Sequence, residues 1–430
     1  MFDGWIKAQN TPATPFFGSI AFDKVSKVPD WRDISPRFGV AWDVRGNGKT
    51  ALKATAGRYV ASAGGGNPAA NNPASTVDRT ALRAWTDLNR DGLPQGDPTN
   101  PLANGELTGP TDSPTFGRPV RVQFSDPNVL TDNRGYTWQY NVGIDQEVRS
   151  NVRVSVNYFR TQHFNQQINH NEAVAPSEFD PYCVTSPANI PGGARQVCGF
   201  FDVNRAAQVL PAHNVFKNDE AFGVDQTEVF DGVDFTMNAR FGKGSQVSGG
   251  YNIGRTVTDN CFVVNSPQQL YNCRVVVPNA GNSQVKFSGS HTFPYGFAVS
   301  AVFQNLPGVP VQANTTFTND QIAPSLGRNL SRCPAATGPC PGITVALPML
   351  VPNTVFEDRL TQVDFRVLKD FGKAQGRFVR VTFDLYNMFN ANTVLARNDT
   401  FGLGGGIGWG RPTNILIGRL VKFGGQFNWR

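Results

Sequence analysis

YTWQYNVGIDQEVRSNVRVSVNYFRTQHFNQQINHN, residues 136–171, decides how this 430-residue chain is read. Tyr136, Trp138, Tyr140, Val142 and Ile144 share one side of an alternating segment, while Thr137, Gln139, Asn141 and Gly143 share the other. After a turn at 149–151 the pattern resumes, with Val152, Val154, Val156 and Tyr158 opposite Arg153, Ser155 and Asn157. A period of two belongs to a β-strand. The stretch therefore predicts two antiparallel strands, 136–148 and 152–171.

The unit recurs along the chain. Paired segments are expected at 35–44 and 49–61, at 227–242 and 245–260, at 283–293 and 297–317, and at 354–371 and 377–390, with a last strand at 411–430. In one of these, Val379, Val381, Phe383 and Leu385 oppose Arg380, Thr382 and Asp384. The turns within pairs are short, whereas the connections between pairs run from about 20 to 74 residues. Such alternation predicts an antiparallel up-and-down meander with one plain rim and one elaborated rim, the asymmetry of transmembrane β-barrels with short periplasmic turns and long extracellular loops. The apolar side would meet lipid and the polar side a wet lumen. Pairing between strands would satisfy the backbone, as a bilayer demands. A soluble sandwich also explains alternation, but not strands of 15 to 20 residues, beyond the usual ~3–10. The expected fold class is all-β, an antiparallel up-and-down transmembrane β-barrel.

Composition agrees. Charged residues are 17% of the chain, against roughly 25% in soluble domains. Aromatics are 11%, with 32 Phe, and there are 44 Gly and 30 Pro. The net charge of +6 comes from 39 basic and 33 acidic residues scattered along the chain. No basic stripe interleaved with aromatics is present, so no nucleic-acid partner is expected. No apolar run approaches the length of a membrane helix. The start, MFDGWIKAQN, lacks the basic and apolar regions of a signal peptide. Either the protein stays inside the cell or its start lies upstream.

The cysteines bear on that choice. Cys183 and Cys198, Cys261 and Cys273, and Cys333 and Cys340 are near neighbours, 15, 12 and 7 apart. Each pair lies in a Pro-, Asn- and Gly-rich connection and lacks metal-finger spacing. They read as three loop-stapling disulfides, each stabilising by roughly 2–3 kcal/mol, in an oxidising compartment. The alternative is six unrelated buried thiols.

Five stretches carry a resemblance: 31–60 (WRDISPRFGVAWDVRGNGKTALKATAGRYV), 72–97 (NPASTVDRTALRAWTDLNRDGLPQGD), 360–371 (LTQVDFRVLKDF), 383–395 (FDLYNMFNANTVL) and 411–429 (RPTNILIGRLVKFGGQFNW). Together they resemble the C-terminal barrel part of a TonB-dependent outer-membrane receptor, close to the Oar-like subfamily. The resemblance implies a 22-strand barrel preceded by a signal peptide, a TonB-contacting segment and a plug domain. Eleven full strands, with WIKAQ near residue 5 as the tail of another, would be about the last twelve of the 22. Residues 1–430 then form the C-terminal portion of the barrel, a fragment or split product without plug, signal peptide or first strands. Relatives often carry a cysteine pair after the WTD motif, and this chain does not.

The ending LVKFGGQFNWR resembles the assembly signal of outer-membrane barrels. Phe423, Phe427 and Trp429 would meet lipid, and Arg430 after the last aromatic is a small departure. The implied partners are outer-membrane lipid, the barrel assembly machinery, the TonB complex through the N-terminal part, and an extracellular ligand. The implied function is active uptake of a large nutrient (a glycan, peptide or metal chelate) with no bond chemistry and so no enzyme activity. A passive porin-like channel or a surface adhesion barrel is the alternative, and a secreted β-rich hydrolase a more distant one.

Single motifs add little chemistry. GNGKT at 46–50 mimics the end of a phosphate loop, but Asp43 stands where that loop needs Gly; it reads as a hairpin turn. DLNRDG at 87–92 matches half of a calcium loop through Asp87, Asn89 and Asp91, with Gly92 for the turn and Asp97 as a further carboxylate. Ca2+ could sit there, or the same residues could make Asx-turns. His163 and His170 would point to opposite faces of one strand, and His213 and His291 stand apart. Arg153, Asp364, Arg366, Arg380 and Asp384 are expected on the lumen side as a hydrated wall of ion pairs. Loops 62–135 and 172–226 are the better ground for ligand contact.

Overall fold

The computed structural model describes residues 2–428, apart from 63–70, 101, 109–110, 112, 114, 120–122, 132, 209–211, 243, 375–376 and 404–407. Trp429, the last aromatic of the expected assembly signal, lies outside the described residues.

Eleven long strands form one antiparallel sheet in chain order. They are β1 (Arg37–Asp43), β2 (Thr50–Val60), β3 (Tyr136–Arg149), β4 (Val152–Phe164), β5 (Thr227–Phe241), β6 (Ser245–Asp259), β7 (Gln284–Thr292), β8 (Phe297–Leu306), β9 (Leu360–Ala374), β10 (Arg377–Tyr386) and β11 (Leu420–Asn428). The short strand Arg274–Val277 pairs beside β6 and completes a twelve-stranded sheet. Among the described residues β1 and β11 make no ladder with each other, so the sheet is open at both edges.

The register explains the two faces. Trp42, Leu52, Ile144, Val156, Phe235, Tyr251 and Val285 are successive cross-strand partners from β1 to β7. One position over, Lys53, Gly143, Asn157, Asp234, Asn252 and Gln284 make the matching row on the other face. A one-residue slip would exchange these rows. At the far edge Phe365, Leu385 and Val421 align on the apolar side. The polar face has exceptions such as Phe159 and Phe230. The Phe230 ring lies where a Cβ on Gly232 or Gly254 would come within 2.6 or 2.5 Å, so a larger residue at either position would have to displace that ring.

The apolar face is bare. Phe423 is 74% exposed and Phe427 67%. Among the described residues, the wall strands contribute only Ala239 and Leu360 to the buried apolar set. A sandwich would have hidden these faces against a second sheet. Among the described residues no helix is long and apolar enough to cross a membrane.

Four expected strands are shorter than the pattern implied. The segment 152–171 breaks at Asn165, whose φ is +51°, and Gln167–Asn171 pairs instead with Asn214–Asn218. The segment 297–317 ends at Leu306 before Pro307-Gly308, and Asn314–Thr318 joins a small sheet with Thr344–Pro348. Residues 354–359 precede β9 rather than extend it, and Pro412–Ile415 pairs with Val394–Arg397. WIKAQ is not the tail of a wall strand: Phe2–Ile6 pairs with Val25–Trp31, and Gln9–Thr11 with Ile20–Phe22. Apart from 354–359, where only Phe356 makes an isolated bridge with Pro310, the alternating pattern continues in small sheets outside the wall.

Candidate ligand-receiving cap and inner wall

Among the described residues a hydrophobic core lies in the long connections. Tyr182, Val184 and Phe200 from one loop pack with Val311, Phe317, Ile322, Leu347 and Met349 from another and with Phe401 from a third. Phe200 and Ile322 have no exposed surface. The short helix α1 (Asn319–Leu326) carries Ile322 into this core. Burying such side chains contributes roughly 1.5–3 kcal/mol each, so these loops fold as a cap rather than trail in solvent.

All three expected cysteine pairs are formed. Cys183–Cys198 closes the hairpin of Phe179–Thr185 and Gln196–Val203, and Cys261–Cys273 and Cys333–Cys340 close two further loops. Cys333 and Cys340 are themselves in the cap core.

Arginines bind the cap together. Arg328 donates to Asp180 at 2.6 and 3.0 Å and to Asp202 at 2.6 Å. Burial alone would lower its pKa, but these hydrogen bonds outweigh burial and hold it above the usual value. Arg205 donates to the carbonyls of Cys333 and Pro334 at 2.6 and 2.9 Å. Arg359 joins cap to wall, donating to Asn305 Oδ1 at 2.7 Å and to the Ser283 carbonyl at 2.8 Å. Arg397 pairs with Glu357 across two connections. None of these arginines stood out in sequence. Their only signal was an Arg or Asp inside otherwise charge-poor loops.

The inner face carries cross-strand ion pairs, as expected. Arg366 pairs with Asp384, and Arg380 with Asp370 at 2.7 Å. Asp384 is 2% exposed. Asp364 accepts from the Asn387 backbone and the Gln362 side chain, both at 2.8 Å. Arg153 lines a cavity of about 600 Å3 at the short-turn end, with Glu147, Asn238 and Arg240.

GNGKT is a turn between β1 and β2, with the Asp43 carboxylate accepting the backbone N–H of Gly48 at 2.6 Å. In the 87–97 loop, Asp87 accepts the N–H of Arg90 and Gly92, Asp91 that of Leu93, and Asp97 that of Thr99. Buried Glu106 accepts the N–H of Leu88 and Gln95. The described residues hold no group of three His, Cys, Asp or Glu able to hold a metal ion. His163 and His170 lie on different strands, not on one as expected. His163 contacts Thr137 at 3.0 Å and His170 contacts Asn265 at 3.2 Å. His213 pairs with Glu172 and His291 with Ser245.

A bare apolar face, a charged inner face and one elaborated rim define an outer-membrane β-barrel wall. A family model described as an outer membrane beta barrel domain matches residues 8–298, and the chain belongs to that family. It is a protein of the outer membrane. No curated protein matches it. Among solved structures it is similar to the ferripyoverdine receptor of the outer membrane of Pseudomonas aeruginosa, at 10% identity and a TM-score of 0.43 over 97% of this chain and 34% of that one. It is similar to the outer-membrane transporter YddB of Escherichia coli, at 11% identity and a TM-score of 0.45 over 94% and 42%. The siderophore receptor PirA of Acinetobacter baumannii gives 10% identity and a TM-score of 0.41 over 96% and 42%. The chain thus spans well under half the length of these proteins.

Proposed function

We propose that this chain is the lipid-facing wall and extracellular cap of a TonB-dependent active-uptake receptor of the Oar-like type. It captures a large nutrient and passes it inward without bond chemistry. The observation that carries this reading is the interlocked cap: several connections share one core above a polar, ion-paired inner wall. A passive pore has no need of so large a folded structure over its mouth. The motifs at 31–60, 72–97 and 411–429 support the TonB-dependent assignment. Barrel assembly machinery, bulk lipid and TonB are partners by the same reading, and Phe423 and Phe427 would serve the assembly signal. The open edges of β1 and β11 would pair with strands that complete the barrel.

The test is uptake. Cells carrying the complete protein should accumulate compounds from a pooled radiolabelled extract of glycans, peptides and metal chelates only while the inner-membrane proton gradient stands. Accumulation that survives a protonophore would mark a passive channel instead.

Calcium at Asp87, Asn89, Asp91 and Asp97 is a separate proposal. Oxygen groups at alternate positions support it, and the Asx-turn hydrogen bonds already described offer an independent support for the same loop. Titrating chelator-treated protein with Ca2+ decides between them. Slower proteolysis within 80–108 would favour the ion, and an unchanged rate would leave the hydrogen bonds as the loop's support.

A further inference from the structure

A cavity of about 280 Å3 lies where the cap meets the upper ends of the wall, lined by Ile168, Gln226, Thr258, Asn260, Phe262, Val264, Gln269, Asn272, Cys273 and Val275. Its lining has two features in combination. Every polar side chain in it is neutral, and two are amides with an unsatisfied atom: Asn260 Oδ1 and Asn272 Nδ2 are buried without a hydrogen-bond partner. Buried polar groups are normally paired, and an unpaired one is a standing reason to bind whatever completes it.

These amides are placed together by covalent means. Asn260 precedes Cys261 and Asn272 precedes Cys273, and the disulfide joins those cysteines. The Asn260 N–H donates to the Cys273 carbonyl at 3.0 Å, closing the neck of the loop. Asn272 holds φ at +56°, a left-handed conformation that Asn tolerates better than most residues. The rest of the loop is fixed from both sides. Gln269 Oε1 accepts the N–H of Val264, Asn265 and Ser266, and Asn265 Oδ1 accepts the N–H of Asn171. Phe262 adds an aromatic wall, itself 6.0 Å from Phe222.

We propose that this cavity is a subsite for one ring of a neutral carbohydrate, a proposal that rests on the uptake reading and names its ligand class. A sugar ring presents an apolar C–H face for Phe262. Its hydroxyls both donate and accept, so one can give a hydrogen bond to Asn260 Oδ1 and another can take one from Asn272 Nδ2. Both atoms are closed to water as the loop stands, so binding requires the Asn260 and Asn272 side chains to turn toward the cavity as the ring enters. An anionic metal chelate lacks a counter-charge, because no Lys, Arg or His lines the cavity. The adjacent charges Asp259 and Arg274 pair with each other at 3.4 Å. A peptide is usually captured along a strand edge or by its charged ends, and the cavity offers side-chain amides instead.

The test uses the complete protein in detergent-solubilised outer membranes. It is titrated with neutral hexasaccharides of glucose, xylose and N-acetylglucosamine, with hexa-alanine, and with a ferric citrate chelate. At least one neutral oligosaccharide should bind. Asn260→Ala and Asn272→Gly should each weaken it about tenfold or more, with the Cys261–Cys273 bond still formed by thiol labelling as the check on folding. Gly at 272 keeps the left-handed turn open. Oligosaccharide binding unaffected by both substitutions overturns the proposal. So does binding of hexa-alanine or the chelate alone, or no binding at all. Failure of the uptake reading shows separately, as protonophore-insensitive accumulation.

Discussion

Arg328 Nη1 donates to Asp202 Oδ2 at 2.6 Å, joining residues 126 apart in the chain. The same guanidinium reaches Asp180 and the Val203 carbonyl, so one side chain locks a disulfide-closed hairpin to the segment that follows helix α1. Arg328→Met would leave the partly buried Asp202 without its counter-ion, with only Ser331 still donating to it, at a cost of about 1–3 kcal/mol. Hydrogen exchange should then show lost protection over 179–203, with the wall amides unchanged. Arg328→Lys should not restore protection, because an ammonium cannot reproduce the planar fork.

Reducing the disulfides should loosen the cap and spare the wall. Each loop closed by a cross-link of this length is stabilised by roughly 2–3 kcal/mol through lost freedom of the opened chain. A membrane-impermeant reductant on intact cells should speed proteolysis within 179–203 and 319–350. The eleven-strand sheet, held by ladders rather than cysteines, should keep its circular dichroism.

A charge on the outward face should be costly where the same charge inward is not. Phe235 and Thr236 are adjacent on β5 and point to opposite faces. Phe235→Arg should destabilise by about 2–4 kcal/mol if it lies near the membrane midplane. Thr236→Arg should shift stability by less than about 1 kcal/mol. Urea unfolding in lipid vesicles measures both.

Acid should weaken the base of the 172–226 loop. Glu172 is held below its usual pKa first by the Lys217 hydrogen bond and then by the nearby charges of Lys217, His213 and His170. A depressed carboxyl contributes stability that is full above its unfolded value of 4.5 and is lost as pH falls through the folded value. The pair is a third exposed on the Glu side, so the effect is below about 1 kcal/mol. Proteolysis of this loop should accelerate below about pH 4.5 in the native protein, and Glu172→Gln should remove that acid-dependent step.

The wall was legible because its determinants are local. Alternation at Tyr136–Ile144 and Val152–Tyr158 predicts two faces whatever the rest of the chain does, and all eleven long strands overlap the expected segments, with β3 ending at Arg149 and β9 at Ala374, just past them. Strand ends were less legible. At Asn165 and Leu306 the sequence keeps alternating while the backbone turns away, because small cap sheets use the same period of two as the wall. The cap core was illegible for a different reason. Phe200, Ile322, Met349 and Phe401 meet only through tertiary folding, and no period links them. The cysteine pairs were readable from spacing within each loop. The Asn260–Asn272 site was not, since its meaning depends on which polar atoms stay unpaired.

The central claim is that alternate residues of one strand face lipid and water. Single cysteines at Val154, Ser155, Val156, Asn157 and Tyr158 on β4, spin-labelled in the complete protein in outer membranes, test it most directly. Collision with lipid-soluble oxygen should be high at 154, 156 and 158, and collision with a water-soluble nickel chelate high at 155 and 157. Uniform access to the nickel chelate, or lipid contact at 155 and 157, would contradict the membrane wall.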